Sequence, residues 1–446
     1  MKQLLLLLLA GTVAAAPQKT ALDRYVAQPD AAYKYSLVRT VPAQGATVYL
    51  LRMTSQKWLT KAEVNRPEWQ HWMTIVKPAR VQHRTGMLFI GGGNNDGRPP
   101  SPRKELVGIA QATQSVVAEI GMVPNQPLVF ADEKRQRSED AIIAYSWNKF
   151  LKTGDEKWPL RLPMTKAAVR GLDTITAFMK SKAGGGVKVD RFVVTGASKR
   201  GWTTWSTAAV DKRVVAIIPI VIDMLNVEPS FKHHRAAYGF YAPAVHDYTE
   251  ARIMDWMGKP GFAKLKRIED PYEYRDRLTM PKFILNSAAD QFFLPDSWQF
   301  YWKDLKGSKH LRYVPNTGHS LRDSDAVESL VAYYHAILNK TPLPRYEWAV
   351  EKTGALIVRT PDKPSAVRVW RATNPKARDF RIDQTGPIWK STALRRRADG
   401  AYHAPAVSPP KGWTASFIEL TIPGKVKPFK FTTGVVVLPV TLPFAK

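Results

Sequence analysis

Three residues of this sequence have the types and positions that nucleophilic catalysis by a serine requires. Ser198 follows a short apolar run, and a stretch with helical periodicity comes after it. Asp290 lies 92 residues after the serine and His319 lies 29 residues after the acid, each behind another apolar run. Because a neutral serine is a poor nucleophile, His319 would take its proton and Asp290 would orient the imidazole. The set predicts acyl transfer through a covalent serine intermediate.

The segment around the serine, residues 191–202, has the character of a strand, a tight turn and a helix, and reads RFVVTGASKRGW. In such a nucleophile elbow the hydroxyl projects toward the carboxyl edge of a parallel sheet. Arg200 replaces the usual second glycine, two residues after the serine, and Gly201 comes one position later. Taken alone, the segment is equally compatible with a structural turn serine. The chain order of serine, acid and histidine favours the catalytic interpretation.

Two further parts of the site follow from the same reasoning. Asp223 stands directly after the apolar run 214–222 and is an alternative acid to Asp290. The oxyanion would accept one hydrogen bond from the N–H of Lys199. A glycine run at 91–93 would supply the second donor, from Gly93 or Asn94, although a plain turn is the other interpretation of that run.

No metal or cofactor is expected at this site. The chain has no cysteine, which excludes a thiol nucleophile and thiolate ligands. His233 and His234 are adjacent and lack an HExxH pattern, so we expect them to line a pocket or the surface rather than bind metal. Lys199 and Arg200 flank the serine and either bind an acidic group of the substrate or are solvated.

The elements that must position these residues are short apolar runs alternating with stretches of helical periodicity. The runs are rich in Val, Ile and Phe, as buried parallel strands are, and they span 87–90, 128–131, 192–195, 214–222, 283–285 and 311–314. A strand pair is expected before them at 47–52 and 69–76, and one helix is expected over 106–120, ended by Gly121. The pattern predicts an α/β-hydrolase sheet with helices on both faces.

The connection between the runs at 214–222 and 283–285 is far longer than a simple crossover. Its aromatic content predicts a cap insertion, residues 223–282, over a binding pocket, and a helical insertion without a role in binding is the alternative. The side chains expected to line the pocket are Arg200, Trp202, Tyr238, Tyr241 and Trp256.

The pattern changes again after about residue 340. Pro342 and Pro344 mark a linker, and the β-type segments beyond it predict a small β-sandwich-like domain at 341–446. The α/β-hydrolase domain would then span 16–340. The C-terminal region has 18 Lys and Arg against 7 Asp and Glu, a net charge of +11, and its residues 395–397 are three consecutive arginines.

The N-terminus has the pattern of a secretory signal peptide, with Lys2, an apolar run and then small residues. Cleavage is expected after Ala15, which would remove residues 1–15. The apolar run is shorter than the ~20 residues that span a bilayer, and no later segment reaches that length. We therefore expect an exported protein, periplasmic or secreted, with no transmembrane anchor after cleavage.

The chain has 446 residues and a formal net charge of +28. An exported protein with this charge is attracted to anionic surfaces such as acidic glycans, lipopolysaccharide or lipid headgroups, and no nucleic-acid-binding module is visible. A surface that is simply solvated is the other explanation of the charge. The corresponding alternative function is a non-catalytic protein of hydrolase fold that attaches to anionic envelope polymers.

The chain resembles the PhoPQ-activated pathogenicity-related family from about residue 25 to the C-terminus. The motifs that carry the resemblance are TGASKRGWTTW at 195–205, IIPIVIDMLN at 217–226, NSAADQFFLPD at 286–296 and YVPNTGH at 313–319. The resemblance implies an exported α/β-hydrolase with a β-rich C-terminal domain and with Ser198, Asp290 and His319 as its triad. The expected reaction is hydrolysis of an ester or of a peptide or amide bond, in a small-molecule or peptide substrate that the resemblance does not specify.

Overall fold

The computed structural model of the chain describes residues 19–95 and 97–445. The predicted signal peptide and Asp96 lie outside these residues. The described strands are β1 (Lys34–Ala43), β2 (Ala46–Lys57), β3 (Glu68–Pro78), β4 (Thr85–Ile90), β5 (Val117–Ile120), β6 (Leu128–Val129), β7 (Gln136–Arg137), β8 (Arg191–Ala197), β9 (Val214–Ile220), β10 (Lys282–Ser287), β11 (Lys309–Val314), β12 (Glu347–Val350), β13 (Leu356–Arg359), β14 (Ala366–Asn374), β15 (Lys390–Ala393), β16 (Tyr402–Ala404), β17 (Trp413–Ile422), β18 (Phe429–Thr432) and β19 (Val436–Leu438). The described helices are α1 (Ala21–Ala27), α2 (Lys104–Thr113), α3 (Asp140–Thr153), α4 (Arg161–Lys180), α5 (Lys199–Val210), α6 (Val227–Tyr238), α7 (His246–Glu250), α8 (Pro260–Glu269), α9 (Ala326–Leu338) and α10 (Ile382–Thr385).

Nine of the described strands form one mixed sheet in the order β1-β2-β3-β5-β4-β8-β9-β10-β11. The first three strands are an antiparallel meander, and β3 also pairs antiparallel with β5. From β5 to β11 the neighbours are parallel. The parallel strands therefore present their carboxyl ends at one common edge, where such sheets build their sites.

Helices cover both faces of this sheet, as predicted. Successive side chains of a strand point to opposite faces, and the apolar residues of β8 follow this rule. Val193 packs in one cluster with residues of α2 and α9, whereas Val194 packs in another with residues of α3, α4 and α5. Both faces are buried, which explains why the strands are continuous apolar runs in the sequence rather than alternating ones.

The helix predicted over 106–120 is wrong in its second half. α2 ends at Thr113, and Gln114 caps it in a left-handed conformation with φ of 49°. Residues 117–120 then form β5, between β3 and β4. The β-branched and apolar side chains of this short strand fit a position buried on both faces, and that environment outweighs the helical spacing. The predicted strand at 128–131 is also displaced, because β6 pairs only with β7, outside the main sheet.

The predicted β-rich C-terminal region consists of two antiparallel sheets in the described residues. One has the order β12-β13-β16, and the other has the order β15-β14-β17-β18 with β19 on β17. The second sheet packs against edge strand β11 of the main sheet, where the Tyr313 N–H donates to Thr432 Oγ1 at 3.0 Å. Phe431 contacts Phe283 with ring centroids 5.5 Å apart. The C-terminal sheets are thus packed on the β10–β11 side of the main sheet.

The segment between β9 and β10 is helical, with α6, α7 and α8 separated by short 3₁₀ turns at Pro243–Val245, Ile253–Trp256 and Pro271–Tyr274. It lies between two adjacent parallel strands, so its ends are held at the sheet. Across residues 19–95 and 97–445, no helix combines the length and the apolar character needed to cross a bilayer.

Candidate active site

Ser198 occupies the turn between β8 and α5, with φ of 57° and ψ of −128°. This conformation is strained for a residue with a side chain and is typical of a nucleophile elbow. A Cβ at Gly196 would lie 2.7 Å from the Arg200 carbonyl oxygen. One at Gly201 would lie 2.9 Å from the carbonyl oxygens of Gly196 and Ile220. The shifted second glycine therefore has a packing reason: it lets α5 approach β8 and β9 closely.

Asp290 and His319 are in direct contact at the carboxyl edge of the sheet. His319 Nδ1 lies 2.8 Å from Asp290 Oδ2 and 3.0 Å from Oδ1. The carboxylate is 3 % exposed and also accepts from the Phe292 N–H at 2.7 Å. The His319 N–H donates to Gln291 Oε1 at 2.8 Å. A carboxylate accepting from Nδ1–H leaves the lone pair on Nε2, which is the tautomer that a general base needs.

Two phenylalanines contact the His319 ring and also line the cavity beside Ser198. The rings of Phe292 and Phe293 lie 4.2 and 5.8 Å from the His319 ring, measured between centroids. Both also line a cavity that Ser198 borders. Nε2 of His319 is buried and has no hydrogen-bond partner among the described residues. This nitrogen is therefore free to accept a proton, and the hydrogen bonds of a general base often tighten only when substrate is bound.

The alternative acid, Asp223, is engaged elsewhere. Its carboxyl accepts from the hydroxyls of Tyr301 at 2.6 Å and Tyr313 at 2.5 Å. Burial raises the pKa of Asp223 to about 8; the two hydroxyl donors oppose this rise, and the charges of Asp290 and Asp296 add to it. The structure brings Asp290, not Asp223, to the histidine. Asp223 would hold its proton at neutral pH and would not stabilise an imidazolium.

Lys199 and Arg200 are paired inside the protein rather than solvated. Lys199 Nζ lies 2.8 Å from Glu139 and 3.0 Å from Asp140, and Arg200 lies 2.7 Å from Glu139. Burial alone would raise the pKa of Glu139, but the two cations lower it to about 2. This acidic pair at the start of α3 was not predicted from the sequence. Both cations are compensated within the protein, which disfavours recognition of an acidic substrate group by these two residues.

The glycine run after β4 lies beside the nucleophile loop. A Cβ at Gly92 would meet the Arg200 guanidinium at 2.7 Å, and Gly93 has φ of 123°. The Gly93 carbonyl accepts from Gln126 Nε2 at 2.9 Å. The N–H of Lys199 is at the first position of α5, where amides lack helical partners. The assignment of Gly93 or Asn94 as second oxyanion donor stays a prediction.

The cavity beside Ser198 is narrow and mainly apolar, with a volume of about 20 Å³. Its walls are Asp140, Trp147, Ser198, Lys199, Trp202, Ile222, Met224, Phe231, Val245, Tyr248, Phe292 and Phe293. Phe231, Val245 and Tyr248 come from the insertion, which therefore covers Ser198. A cavity of this size has room for about one water molecule, so the space is suited to a small group.

Of the five predicted pocket residues, Trp202 lines this cavity and the other four lie elsewhere. Arg200 is held by Glu139, as above. Tyr238 packs with Leu294 and under the Arg381 guanidinium. Tyr241 packs edge-on against Phe231, with centroids 6.0 Å apart. Trp256 packs near Gly261, with Lys259 over its ring. Aromatic content could not tell which rings of residues 223–282 face the serine. The pair Phe292-Phe293, which begins two residues after Asp290, was the missed sequence signal.

The adjacent histidines have separate structural roles. His233 Nε2 lies 3.0 Å from Asp296, and His234 Nε2 accepts from the Ala242 N–H at 3.0 Å. Asp296 also pairs with Arg378 at 2.5 Å. Burial would raise the pKa of Asp296, but Arg378 and His233 hold it well below its usual range. The two histidines therefore do not converge on a common metal position.

The C-terminal region also supports the loop that carries the acid. Besides the ion pair between Arg378 and Asp296, the Ile382 N–H donates to the Ala289 carbonyl at 3.0 Å, one residue before Asp290. Asn316 exchanges two hydrogen bonds with the backbone of Trp389, at 2.9 Å each, three residues before His319. These contacts join residues that are 73 or more positions apart, so the local sequence pattern does not reveal them.

The family whose sequence model is described as "PhoPQ-activated pathogenicity-related protein" matches residues 22–381 of this chain. The chain belongs to this family. The resemblance inferred from the motifs around Ser198, Asp290 and His319 is thus confirmed at the level of the family.

One relative is "Autocrine proliferation repressor protein A" of Dictyostelium discoideum, which is 37% identical over 475 residues, covering 100% of this chain and 95% of the relative. Among solved structures, the acetyl xylan esterase 1 of Thermoanaerobacterium sp. has a TM-score of 0.52 at 16% identity, covering 72% of this chain and 93% of that one. An acetyl xylan esterase from Paenibacillus sp. has a TM-score of 0.51 at 15% identity, covering 71% and 91%. At such identities the likeness shows the α/β-hydrolase fold alone.

Proposed function

We propose that this chain is an exported serine hydrolase that cleaves an ester or a peptide or amide bond through an acyl-Ser198 intermediate. The observation that carries the proposal is the contact of 2.8 Å between His319 Nδ1 and Asp290, with Nε2 left without a partner among the described residues. Phe292 and Phe293, which contact the His319 ring, also line the cavity that the strained Ser198 borders. A buried carboxylate that orients a histidine beside such an elbow is the arrangement that serine activation requires.

In the acylation step, Ser198 Oγ attacks the substrate carbonyl carbon and its proton passes to His319 Nε2. The carbonyl oxygen becomes an oxyanion that accepts from the Lys199 N–H and a second backbone N–H. The intermediate then expels the alcohol or amine, which takes the proton from Nε2. Asp290 stabilises the imidazolium between these transfers and stays ionised.

In the deacylation step, a water molecule attacks the acyl carbon and gives one proton to Nε2. Collapse of the second tetrahedral intermediate breaks the bond to Ser198 Oγ and returns that proton to the serine. The carboxylic acid leaves, and the enzyme is restored without any cofactor. The chain's own groups therefore suffice for both steps.

An ester substrate has support from the fold neighbours, since two acetyl xylan esterases match this chain with TM-scores above 0.5. The narrow cavity at Ser198 suits a small acyl group in the same way. The name of the Dictyostelium relative describes an autocrine role, which agrees with an exported protein but indicates no bond to be cleaved.

The test is covalent labelling of the protein, without residues 1–15, by a fluorophosphonate, with the adduct mapped by mass spectrometry. We expect one adduct at Ser198 that is lost in Ser198→Ala and retained in Ser408→Ala, an exposed serine of the C-terminal region. A folded protein that is neither labelled nor active on p-nitrophenyl acetate would contradict the proposal.

The second candidate function is a non-catalytic binding protein that attaches to anionic envelope polymers. One observation favours it: a wide groove lined by arginines and tryptophans lies away from Ser198. Absence of labelling together with retained binding to an acidic polymer would select this function over the hydrolase.

A further inference from the structure

A groove of about 1010 Å³ lies between the main sheet and the C-terminal sheets. It is lined by Trp302, by the chain entering β11 at 307–310, by the connection 343–346 with Glu347 and Trp348 of β12, by 359–361, and by Arg396, Asp399 and Gly400. Because it includes the start of β11, it lies at the amino ends of the parallel strands. The groove is therefore at the opposite edge of the sheet from Ser198 and His319, and the proposed hydrolysis does not use it.

Two tryptophans form one wall of the groove. The rings of Trp302 and Trp348 lie 6.1 Å apart between centroids, inclined by 31°. Trp298 packs edge-on against Trp348 at 4.7 Å, and its Nε1 donates to the Val435 carbonyl at 2.8 Å. The Lys309 ammonium lies 4.9 Å from the centre of the Trp302 ring. Both rings are partly exposed, and their neighbours hold them in place.

Two backbone carbonyls near the Trp302 ring fix the position of the Lys309 side chain. Its ammonium donates to the carbonyls of Trp302 at 2.5 Å and Leu305 at 2.9 Å. Burial lowers its pKa from the ordinary value. This wall of the groove thus combines the flat apolar rings of Trp302 and Trp348 with the ammonium of Lys309, which is held in place by hydrogen bonds.

Arginines in the lining keep donors available. The backbone of Arg345 is anchored, since its N–H donates to Asp362 at 2.7 Å and its carbonyl accepts from Thr360 Oγ1 at 2.7 Å. Its exposed guanidinium has no polar partner among the described residues. Arg396 uses Nε for the Gly400 carbonyl at 2.9 Å. Their remaining donors can bind a carboxylate in two-pronged geometry.

Acidic side chains are also present in the lining. Asp399 pairs with Arg359 at 3.2 Å and accepts from His403 at 2.8 Å, and Glu347 is exposed beside Trp348. Four cations (Lys309, Arg345, Arg359, Arg396) against two anions (Glu347, Asp399) give a net charge of +2 (4 − 2). The groove is therefore moderately basic, with acceptors interspersed among its donors.

We propose that this groove is a binding site for an acidic polysaccharide, a sugar chain that carries carboxylates. The apolar faces of sugar rings pack on Trp302 and Trp348, as amphipathic ligands do on exposed aromatic rings. The carboxylates bind Arg345 and Arg396, and sugar hydroxyls donate to Glu347 and Asp399. A single-stranded nucleic acid also combines stacking with basic contacts. Every ring of a sugar chain, however, also offers hydroxyl donors to these two carboxylates, whereas the sugar-phosphate backbone of single-stranded DNA offers none.

A polymer bound in the groove would attach the protein to a surface at a place far from Ser198. A polymer in the groove cannot reach Ser198 through the packed sheet, so binding would keep the protein on its anionic surface while the opposite edge stays open to substrate. The proposal does not depend on the hydrolase activity and would hold equally for a catalytically silent protein.

The experiment measures binding of the full chain without residues 1–15 to sodium polygalacturonate by isothermal titration calorimetry at 100 mM NaCl. We expect Arg345→Ala and Trp348→Ala each to weaken binding about tenfold or more. The matched control is Arg39→Ala, which removes an exposed arginine from β1 at the other end of the main sheet and should change the affinity less than twofold. Melting temperatures show that each variant is folded.

Three results would overturn the proposal. Equal losses in Arg39→Ala and Arg345→Ala would mean that charge over the whole surface, not the groove, attracts the polymer. Equal affinity for neutral dextran would mean that the ligand is not recognised as an anion. Tighter binding to single-stranded DNA of matched charge, weakened by the same variants, would assign the groove to nucleic acid.

Discussion

The cavity at the carboxyl edge of the sheet and the groove at its amino edge have opposite physical properties. The first has a volume of about 20 Å³, lies under the insertion and is mainly apolar. The second has about 1010 Å³ and is lined by arginines and tryptophans. Closure strengthens electrostatic interactions at a reacting centre by excluding water, whereas attachment to a polymer requires an open surface. One sheet thus provides two environments that a single cavity could not combine.

The two regions also differ in how their basic residues are paired, in a chain with a net charge of +28. At the serine, Lys199 and Arg200 are compensated by Glu139 and Asp140. At the groove, Arg345 has no intramolecular partner for its guanidinium among the described residues. The basic residues next to Ser198 are therefore compensated within the protein, whereas the groove keeps a net charge of +2 and an unpaired arginine among the described residues. The following changes test this contrast.

The largest effect is expected for Asp290→Asn. Loss of the carboxylate removes the group that fixes the His319 tautomer, and kcat for p-nitrophenyl acetate should fall about 10³- to 10⁴-fold, the scale known for a triad acid. Binding of polygalacturonate should not change, because the groove lies at the other edge. Asp223→Asn is the matched control and should retain kcat within about tenfold. A larger loss in Asp223→Asn than in Asp290→Asn would reverse the assignment of the acid.

Enlarging the cavity should change the preference for acyl length. Phe231→Ala removes one wall of the cavity. The ratio of kcat/KM for p-nitrophenyl butyrate to kcat/KM for p-nitrophenyl acetate should then rise about tenfold, which is the discrimination that one or two methylenes cause in an apolar pocket. Phe262→Ala removes a ring of the same insertion that is equally buried, at 1% exposure, but is not a cavity wall. Both should lose about 3–5 kcal/mol of stability. A shift of the ratio in both variants would indicate general loosening instead of a defined acyl pocket.

A smaller effect is expected from the pH dependence of stability. The pKa of Asp223 is about 8 in the folded protein and near 3.8 in the unfolded chain. Between these values the folded state holds a proton that the unfolded state has lost, so the free energy of unfolding falls as pH rises, by at most about 1.4 kcal/mol per unit. Asp223→Asn should remove this fall. Melting temperatures from pH 4.5 to 7.5 should therefore diverge in favour of the variant, and parallel curves would contradict the raised pKa.

The smallest effect is expected from salt at the catalytic edge. Hydrolysis of neutral p-nitrophenyl acetate should stay within about twofold between 50 and 500 mM NaCl, since the charges near Ser198 are paired and partly buried. Binding of polygalacturonate should weaken steeply over the same range because the groove is exposed. A steep salt dependence of hydrolysis would break the contrast between the two edges.

Local patterns were sufficient for the elements with strong chemical signals. The apolar runs ending near Ser198, Asp290 and His319 are β8, β10 and β11 of the parallel sheet. The chain order alone indicated that these ends share one edge, since parallel strands cannot place them otherwise. Patterns were insufficient where the same residues suit two structures, as at 117–120, whose helical spacing was overridden by a position between β3 and β4.

The sequence by itself determined the family, the α/β class and the candidate triad, whereas the close approach of α5 that Gly196 and Gly201 allow is seen only in the structure. The tertiary structure decided which of two acids meets the histidine, which aromatic rings of the insertion face the serine, and how Lys199 and Arg200 are neutralised. It also formed the groove, from segments as far apart as Trp302 and Arg396. The physical reason is range: backbone preferences and periodicity act over a few residues, whereas burial, desolvation and ion pairing depend on neighbours that only the packed chain brings together.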